Sequence, residues 1–238
     1  AYIIDWDDYN APAVLNFLQS KELVLSSAFK PFTTKLDNTS KSFNYGALIL
    51  PVGLQKKDAD EVYKWVLEAQ EKYQVPIYAM ATGYSSGGID LGSRNIRPIT
   101  KPKAAMLIGE GTRSYEAGEV WHLLDTRVHM PITKIPVRNY DEAKLDEYNT
   151  LVMISGEYNF TEEQQARLSD WVKKGNTLIT IGTASEWVIE NKIVKEKLII
   201  SEIDSTKAVL RKPYVDASEN LGKENIGGII LKIDLDIT

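Results

Sequence analysis

Residues 151–185 have the sequence LVMISGEYNFTEEQQARLSDWVKKGNTLITIGTAS, in which two short apolar runs flank a polar segment. The runs Leu151–Ile154 and Thr177–Ile181 predict buried strands, because strands covered on both faces are continuously apolar. The segment between them predicts a helix, since Thr161 is a typical N-cap residue and Gly175 is typical of the position after a helix end. A strand, a helix and a second strand in this order predict a βαβ unit with a parallel sheet.

The same alternation continues toward the N-terminus. Apolar runs predict further strands at 1–6, 47–52, 75–80, 104–108 and 132–137. Helices are predicted after Pro12, after Asp58 and from about Ser114, whereas the Thr-, Asn- and Ser-rich stretch that precedes residue 47 predicts a surface loop. Tyr9 corresponds to Tyr115 and Gly53 to Gly156 at similar offsets, which indicates an internal repeat.

This pattern predicts an α/β fold with two tandem flavodoxin-like, three-layer α/β/α halves built on mainly parallel sheets. The halves are expected at 1–99 and 100–238, because Pro98 and Pro102 mark the most probable junction. After residue 191 the repeat is lost, and apolar runs at 198–200 and 226–235 predict C-terminal strands that extend one sheet.

Composition excludes several classes of function. The 238 residues include 28 basic and 33 acidic ones, for a net charge of −5, and no Lys/Arg cluster suits a nucleic acid partner. No apolar run is long enough to predict a membrane span. The absence of cysteine excludes disulfides, thiolate zinc sites and a cysteine nucleophile. Because the chain begins at Ala1 without a signal peptide, it is expected to be a processed or excised fragment.

The candidate binding residues lie in loops that follow predicted strands. In doubly wound sheets, ligands bind outside the carboxyl ends of the strands. Glu110, Thr183 and Ser85 are therefore predicted to line a strand-end crevice, together with Ser185. A serine nucleophile needs a base held by a third group, and the sequence indicates none for these serines. Around Glu110, the glycine-containing loop 109–114 favours a tight turn over an anion site.

The two histidines and their neighbours form a second candidate site, which would bind a metal ion. Glu119, His122 and Asp125 lie on one stripe of the predicted helix, and His129 lies two turns after His122 if the helix continues that far. A metal site on this stripe is one interpretation. A solvated helix face is favoured, because no second ligand pair accompanies the stripe, and no metal is predicted in this chain.

The segment Gly182-Thr-Ala-Ser-Glu186, together with Ser155-Gly156, resembles the class I glutamine amidotransferase fold. That fold has an oxyanion-hole glycine after one strand and a G-x-C-x-G turn after the next. The resemblance assigns Gly156 to the oxyanion position and Ala184 to the position of the cysteine. An alanine methyl group cannot attack an amide, so the resemblance implies the amidotransferase shape without glutaminase activity.

A second resemblance covers nearly the whole chain. YEAGEVWHLLD at 115–125, GIDLGS at 88–93 and DWVKKGNTLI at 170–179 are similar to the region downstream of the catalytic domain in large bacterial zinc carboxypeptidase-like proteins. The segments 211–214 and 226–235 are also similar to that region. The resemblance implies a secreted or periplasmic parent protein, and a catalytic peptidase domain of the same parent chain as the partner.

Catalysis in that family uses an H-x-x-E zinc pair, a distant third histidine and a glutamate base. This chain has only His122-Leu-Leu-Asp125, with His129 nearby, so no catalytic residue carries over. The resemblance therefore implies zinc in the parent's catalytic domain and no cofactor in this chain. It favours a non-catalytic accessory region that docks on the peptidase or binds its substrate. The alternatives are a module that binds a peptide, carbohydrate or other small molecule in the strand-end crevice and, less favoured, a hydrolase that acts through serine or His122.

Overall fold

A computed structural model describes residues 1–36 and 39–198. Residues Ala1–Lys197 form one compact unit, and a second unit begins at Leu198. The predicted strand at 226–235, the segment 211–214 and all but the first residue of the predicted strand at 198–200 lie outside the described residues.

The described part of the first hundred residues contains eight strands, two α-helices and a 3₁₀ turn at Val52–Leu54. In chain order the strands and α-helices are β1 (Tyr2–Ile4), α1 (Ala11–Ser20), β2 (Ser26–Ala28), β3 (Phe32–Leu36), β4 (Thr39–Phe43), β5 (Leu48–Leu50), α2 (Ala59–Tyr73), β6 (Ile77–Ala79), β7 (Gly87–Gly88) and β8 (Ile96–Pro98).

Five of these strands form the first sheet, in the order β6-β1-β5-β2-β8, and every neighbouring pair is antiparallel. The units β1-α1-β2 and β5-α2-β6 interleave, so that each crosses over a strand of the other. This is the split βαβ arrangement of ferredoxin-like folds, with β3 and β4 inserted between the two units. The prediction of a mainly parallel sheet in the first half is therefore wrong.

The sheet is covered on both faces, which explains why its central strand β5 is apolar at every position. Leu48 and Leu50 pack with α1 and α2, whereas Ile49 faces the opposite side. That side is covered by a small antiparallel sheet of order β4-β3-β7. The predicted surface loop is thus largely a hairpin, in which Phe32 and Phe43 are buried and stacked at 5.3 Å between ring centroids.

In its described residues, the second half contains four strands and three α-helices. A π-helical turn at Leu123–Arg127 follows the first of these helices, and 3₁₀ turns lie at Val137–Asn139 and Leu145–Glu147. In chain order the strands and α-helices are β9 (Ala104–Ile108), α3 (Ser114–His122), β10 (Ile132–Pro136), β11 (Thr150–Met153), α4 (Glu162–Lys173), β12 (Thr177–Thr180) and α5 (Thr183–Glu190).

These four strands form a wholly parallel sheet of order β10-β9-β11-β12. Counted from β9 the order is 2-1-3-4, the order in which a flavodoxin-like sheet begins. Helices α4 and α5 pack on one face, and α3 packs on the other. The predicted parallel sheet is confirmed in this half. The predicted helix is also present as α4, and its N-cap Thr161 forms a capping box with Gln164.

The two halves contact each other within the compact unit, through α1 and the segment after α3. Asn16 Nδ2 on α1 donates hydrogen bonds to the backbone carbonyls of Val128, at 3.3 Å, and His129, at 2.8 Å. The two halves differ in strand order and direction, so the internal repeat does not extend to the topology of their sheets. None of the helices described is both long and apolar enough to cross a membrane.

Candidate functional site

Three loops meet at the carboxyl edge of the parallel sheet, where a binding site is expected in this type of fold. They follow β9 (residues 109–113), β11 (residues 154–157) and β12 (residues 181–183). Because β11 lies between β9 and β12, its loop contacts both of the others. We call these three loops the strand-end crevice.

The loops after β9 and β11 are joined through their backbones. Arg113 N–H donates to the carbonyl of Ser155 at 2.9 Å, and Glu157 N–H donates to the carbonyl of Gly111 at 2.9 Å. A Cβ on Gly156 would lie 2.7 Å from the Gly111 oxygen, and one on Gly111 would lie 2.7 Å from the Glu157 oxygen. These glycines allow the two backbones to approach closely. This close approach agrees with the interpretation of the loop 109–114 as a tight turn.

The polar groups of the crevice are bonded to one another. Ser155 N–H donates to Glu116 Oε2 at 2.8 Å, and Thr183 N–H donates to Ser155 Oγ at 3.3 Å. Gly156 N–H, the donor that the amidotransferase resemblance assigns to an oxyanion, donates instead to Thr183 Oγ1 at 3.0 Å. Each of these N–H groups has a partner within the protein. We call these residues, Glu116, Ser155, Gly156 and Thr183, the crevice network.

The sharp turn between β12 and α5 has a glycine at its strained position. Gly182 has φ 55° and ψ −128°, a conformation that L residues with a side chain rarely adopt. A Cβ at this position would lie 2.0 Å from Ser155 Oγ. Ala184, to which the resemblance assigns the cysteine position, lies in the first turn of α5 and is fully buried in the core. The centre of the turn is therefore Gly182, and Ala184 does not face the crevice, because α5 turns its side chain into the core.

The structure separates the remaining predicted binding residues. Glu110 is exposed at the rim of the crevice. Ser185 Oγ donates to Thr180 Oγ1 at 2.9 Å, which ties α5 to the end of β12. Ser85 lies in the first half, where its N–H donates to Asp90 Oδ1 at 2.7 Å and its hydroxyl to the Ile89 carbonyl at 2.8 Å. Ser85 is thus held within its own loop and takes no part in the crevice network.

The histidine stripe is exposed, as expected for a solvated helix face, but it does not extend to His129. Helix α3 ends at His122 and passes into the π-helical turn, and His129 has a φ of 55°, so the helix does not continue to His129. Glu119, His122 and Asp125 are exposed. Among residues 1–36 and 39–198, no three metal-ligating side chains are grouped so that they could hold a metal ion.

Two residues near the crevice were not singled out by their sequence pattern. Glu116 lies in the first turn of α3 and accepts the Ser155 N–H. Tyr158 is buried, and its hydroxyl donates to the Ile154 carbonyl at 2.6 Å. Burial, with a smaller contribution from the Glu116 carboxylate, raises the pKa of Tyr158 well above its ordinary value. A protonated tyrosine that bonds to the backbone supports the end of β11 and does not act as a base.

Comparisons of the chain with protein-family models, with curated proteins and with solved structures gave no match.

Proposed function

We propose that this chain is a non-catalytic accessory region of a secreted or periplasmic zinc carboxypeptidase-like protein. In this proposal the region docks on the catalytic peptidase domain of the same parent chain or binds its substrate. The three stretches at 88–93, 115–125 and 170–179 support the link to that family.

The crevice network is the observation that carries the non-catalytic part of the proposal. A catalytic strand-end site needs a reactive atom and free donors aimed at the charge that develops in the transition state. Here Gly182 stands at the turn and has no side chain, and the Gly156 N–H is bonded to Thr183 Oγ1 at 3.0 Å. The site therefore offers neither the nucleophile nor the free donor.

The same features support a finer description of the second half as a degenerate class I glutamine amidotransferase-like domain. Its strand order from β9 is the order in which flavodoxin-like sheets begin, and a strained turn joins β12 to α5. In this proposal the turn at Gly182 persists after the loss of its reactive residue, because the backbone path between β12 and α5 still requires it.

A hydrolase is the weaker candidate. A serine nucleophile needs a base within hydrogen-bond reach. Ser155 is buried, and its Oγ accepts from the Thr183 N–H. The imidazole of His122 lies at the far end of α3, away from this network.

The proposal is tested on the complete gene product. The coding frame upstream of Ala1 is expected to encode a domain with an H-x-x-E pair and a distant histidine. Carboxypeptidase activity should depend on zinc, and it should persist on a dipeptide-sized substrate when the gene product is shortened to end before Ala1. If the region binds substrate, its removal should raise KM for a long peptide or a protein substrate. If the region only docks on the peptidase domain, its removal should lower the thermal stability of the shortened enzyme and leave KM unchanged.

Two results would contradict the proposal. One is an upstream frame without a metallopeptidase motif, or a start codon directly before Ala1. The other is hydrolysis of peptides, esters or glutamine by the isolated chain, at a rate that falls when Thr183 is replaced by Ala. The substitution Thr126→Ala, at an exposed position outside the crevice network, is the matched control.

A further inference from the structure

A second surface, in the first half, combines exposed aromatic rings with a polar pair. Because β1 and β5 are antiparallel neighbours, with Ile4 opposite Leu48, the loop after β1 lies beside the turn before β5. Asn44 Nδ2 in the turn donates to Asp7 Oδ2 in the loop at 3.3 Å. The residue before Asp7 is Trp6, and the residue after Asn44 is Tyr45. We call these four residues the aromatic patch.

The Trp6 ring is held in place by a glycine. Gly46 has a φ of +88°, and a Cβ there would lie 2.7 Å from Trp6 Cδ1, so only glycine allows the indole to pack on this backbone. Trp6 nevertheless remains 38% exposed, and Tyr45 is 55% exposed. The Trp6 ring therefore packs on this backbone and still presents part of its aromatic surface to solvent.

The charges around the aromatic patch are mostly neutralised. Asp5 forms an ion pair with Lys41 at 3.3 Å, and Asp8 Oδ1 accepts the Asn10 N–H at 2.9 Å. The Arg127 guanidinium covers the ring of the neighbouring Tyr9, at 4.9 Å from its centroid. Asp7 and Asp8 each accept one hydrogen bond and keep their charge, so the three aspartates beside Lys41 and Arg127 leave a local net charge of −1.

We propose that the aromatic patch binds a sugar ring of a neutral polysaccharide. The apolar C–H face of a pyranose packs on flat aromatic surface, which buries area at low cost in conformational entropy. Adjacent hydroxyl groups of the sugar can then donate to Asp7 and accept from Asn44 and from the Trp6 indole. A local net charge of −1 offers a polycation little attraction, and the carboxylates of Asp7 and Asp8 repel a polyanion.

This proposal goes beyond the accessory role argued from the strand-end crevice, and it does not depend on that role. The patch is an open surface formed by a loop and a turn, and such a surface can accept a sugar unit from the middle of a long polysaccharide. Loss of the patch would leave the crevice network unchanged, so the two proposals fail separately.

The test is affinity electrophoresis of the 238-residue chain in native gels that contain a neutral polysaccharide: xyloglucan, galactomannan, mixed-linkage β-glucan or xylan. Alginate serves as the anionic comparison, and oligolysine, measured by fluorescence anisotropy, as the cationic one. The variants are Tyr45→Ala, Asn44→Ala and Trp6→Ala. Tyr63→Ala is the matched control, since Tyr63 lies on α2 and is 51% exposed.

At least one neutral polysaccharide should retard the chain, and Tyr45→Ala should weaken this binding about tenfold, the change that corresponds to about 1.4 kcal/mol. Asn44→Ala should weaken binding without removing a ring, which keeps the test decisive if Trp6→Ala unfolds in circular dichroism. Tyr63→Ala should bind as the unchanged chain does. Any of three results would overturn the proposal: no retardation by any neutral polysaccharide, equal losses for Tyr63→Ala and Tyr45→Ala, or patch-dependent binding of oligolysine or alginate alone.

Discussion

Replacement of Gly182 by alanine tests whether the strained turn and the crevice network depend on each other. The added Cβ would lie 2.0 Å from Ser155 Oγ, so that hydroxyl must leave its place or the backbone must move. The backbone conformation itself costs an alanine about 1 to 3 kcal/mol. Overpacking of a well-packed site costs about 1 to 3 kcal/mol more. We expect Gly182→Ala to lower the free energy of unfolding by about 4 kcal/mol, the sum of mid-range values for the two effects.

Two further variants separate the effects. Gly175 also has a positive φ, of +93°, but a Cβ there would meet no atom within 4 Å. Gly175→Ala should therefore cost only about 1 to 2 kcal/mol, the conformational part. In a Ser155→Ala background the clashing oxygen is gone. The atom nearest to the new Cβ is then the Cβ of residue 155, at 3.4 Å, which is an ordinary contact. Gly182→Ala should then cost about 2 kcal/mol, near the middle of the range for backbone strain alone.

The assay is urea unfolding followed by far-ultraviolet circular dichroism, with the four proteins of the double-mutant cycle measured in parallel. The reasoning is refuted if Gly182→Ala costs the same with Ser155 and with Ala at position 155. It is also refuted if Gly182→Ala costs no more than Gly175→Ala. Either result would mean that the hydroxyl of Ser155 does not constrain the turn.

Three further predictions concern stability. Asn16→Ala removes the hydrogen bonds to the carbonyls of Val128 and His129, and urea unfolding should show a loss of about 1 to 3 kcal/mol. Gly118 lies inside α3, and a Cβ there would meet no atom within 4 Å. Because alanine favours a helix more than glycine does, Gly118→Ala should raise the free energy of unfolding by about 1 kcal/mol, and a fall in stability would contradict this. Burial raises the pKa of Tyr140 from its ordinary value of 10 to about 12. The unfolded chain therefore loses that proton first, so stability should fall between pH 10 and pH 12, and Tyr140→Phe should make this fall shallower.

The sequence pattern predicted those helices and strands whose signals come from residues close together in the chain. Helix α4 begins after Thr161 and ends before Gly175, because the hydrogen bonds of a helix cap are made within a few residues. The direction of the first sheet could not be predicted in this way. The run Leu48–Leu50 is apolar because helices cover one face and a hairpin the other, and that pattern is the same in a parallel and in an antiparallel sheet.

The candidate site shows the same division. The sequence placed Gly156, Thr183 and Glu110 in loops after strands; the structure has Gly156 and Glu110 in such loops and Thr183 at the first position of α5. It did not indicate that the Gly156 N–H is bonded to Thr183, nor that the strained position is Gly182. Both depend on how the loops after β11 and β12 pack together, and their residue types carry no signal of that packing.

By itself, the sequence determined several of the strands and helices, though not the β3–β4 hairpin, and it excluded a cysteine nucleophile, because periodicity, caps and composition are local properties. Only the tertiary structure decided that the first sheet is antiparallel and that the N–H groups of the crevice network donate to side-chain oxygens of the same network. Ser155 meets Glu116 and Thr183 across 39 and 28 residues of chain. Contacts at such separations arise from the packing of the sheet and its helices, so the pattern of neighbouring residues does not encode them.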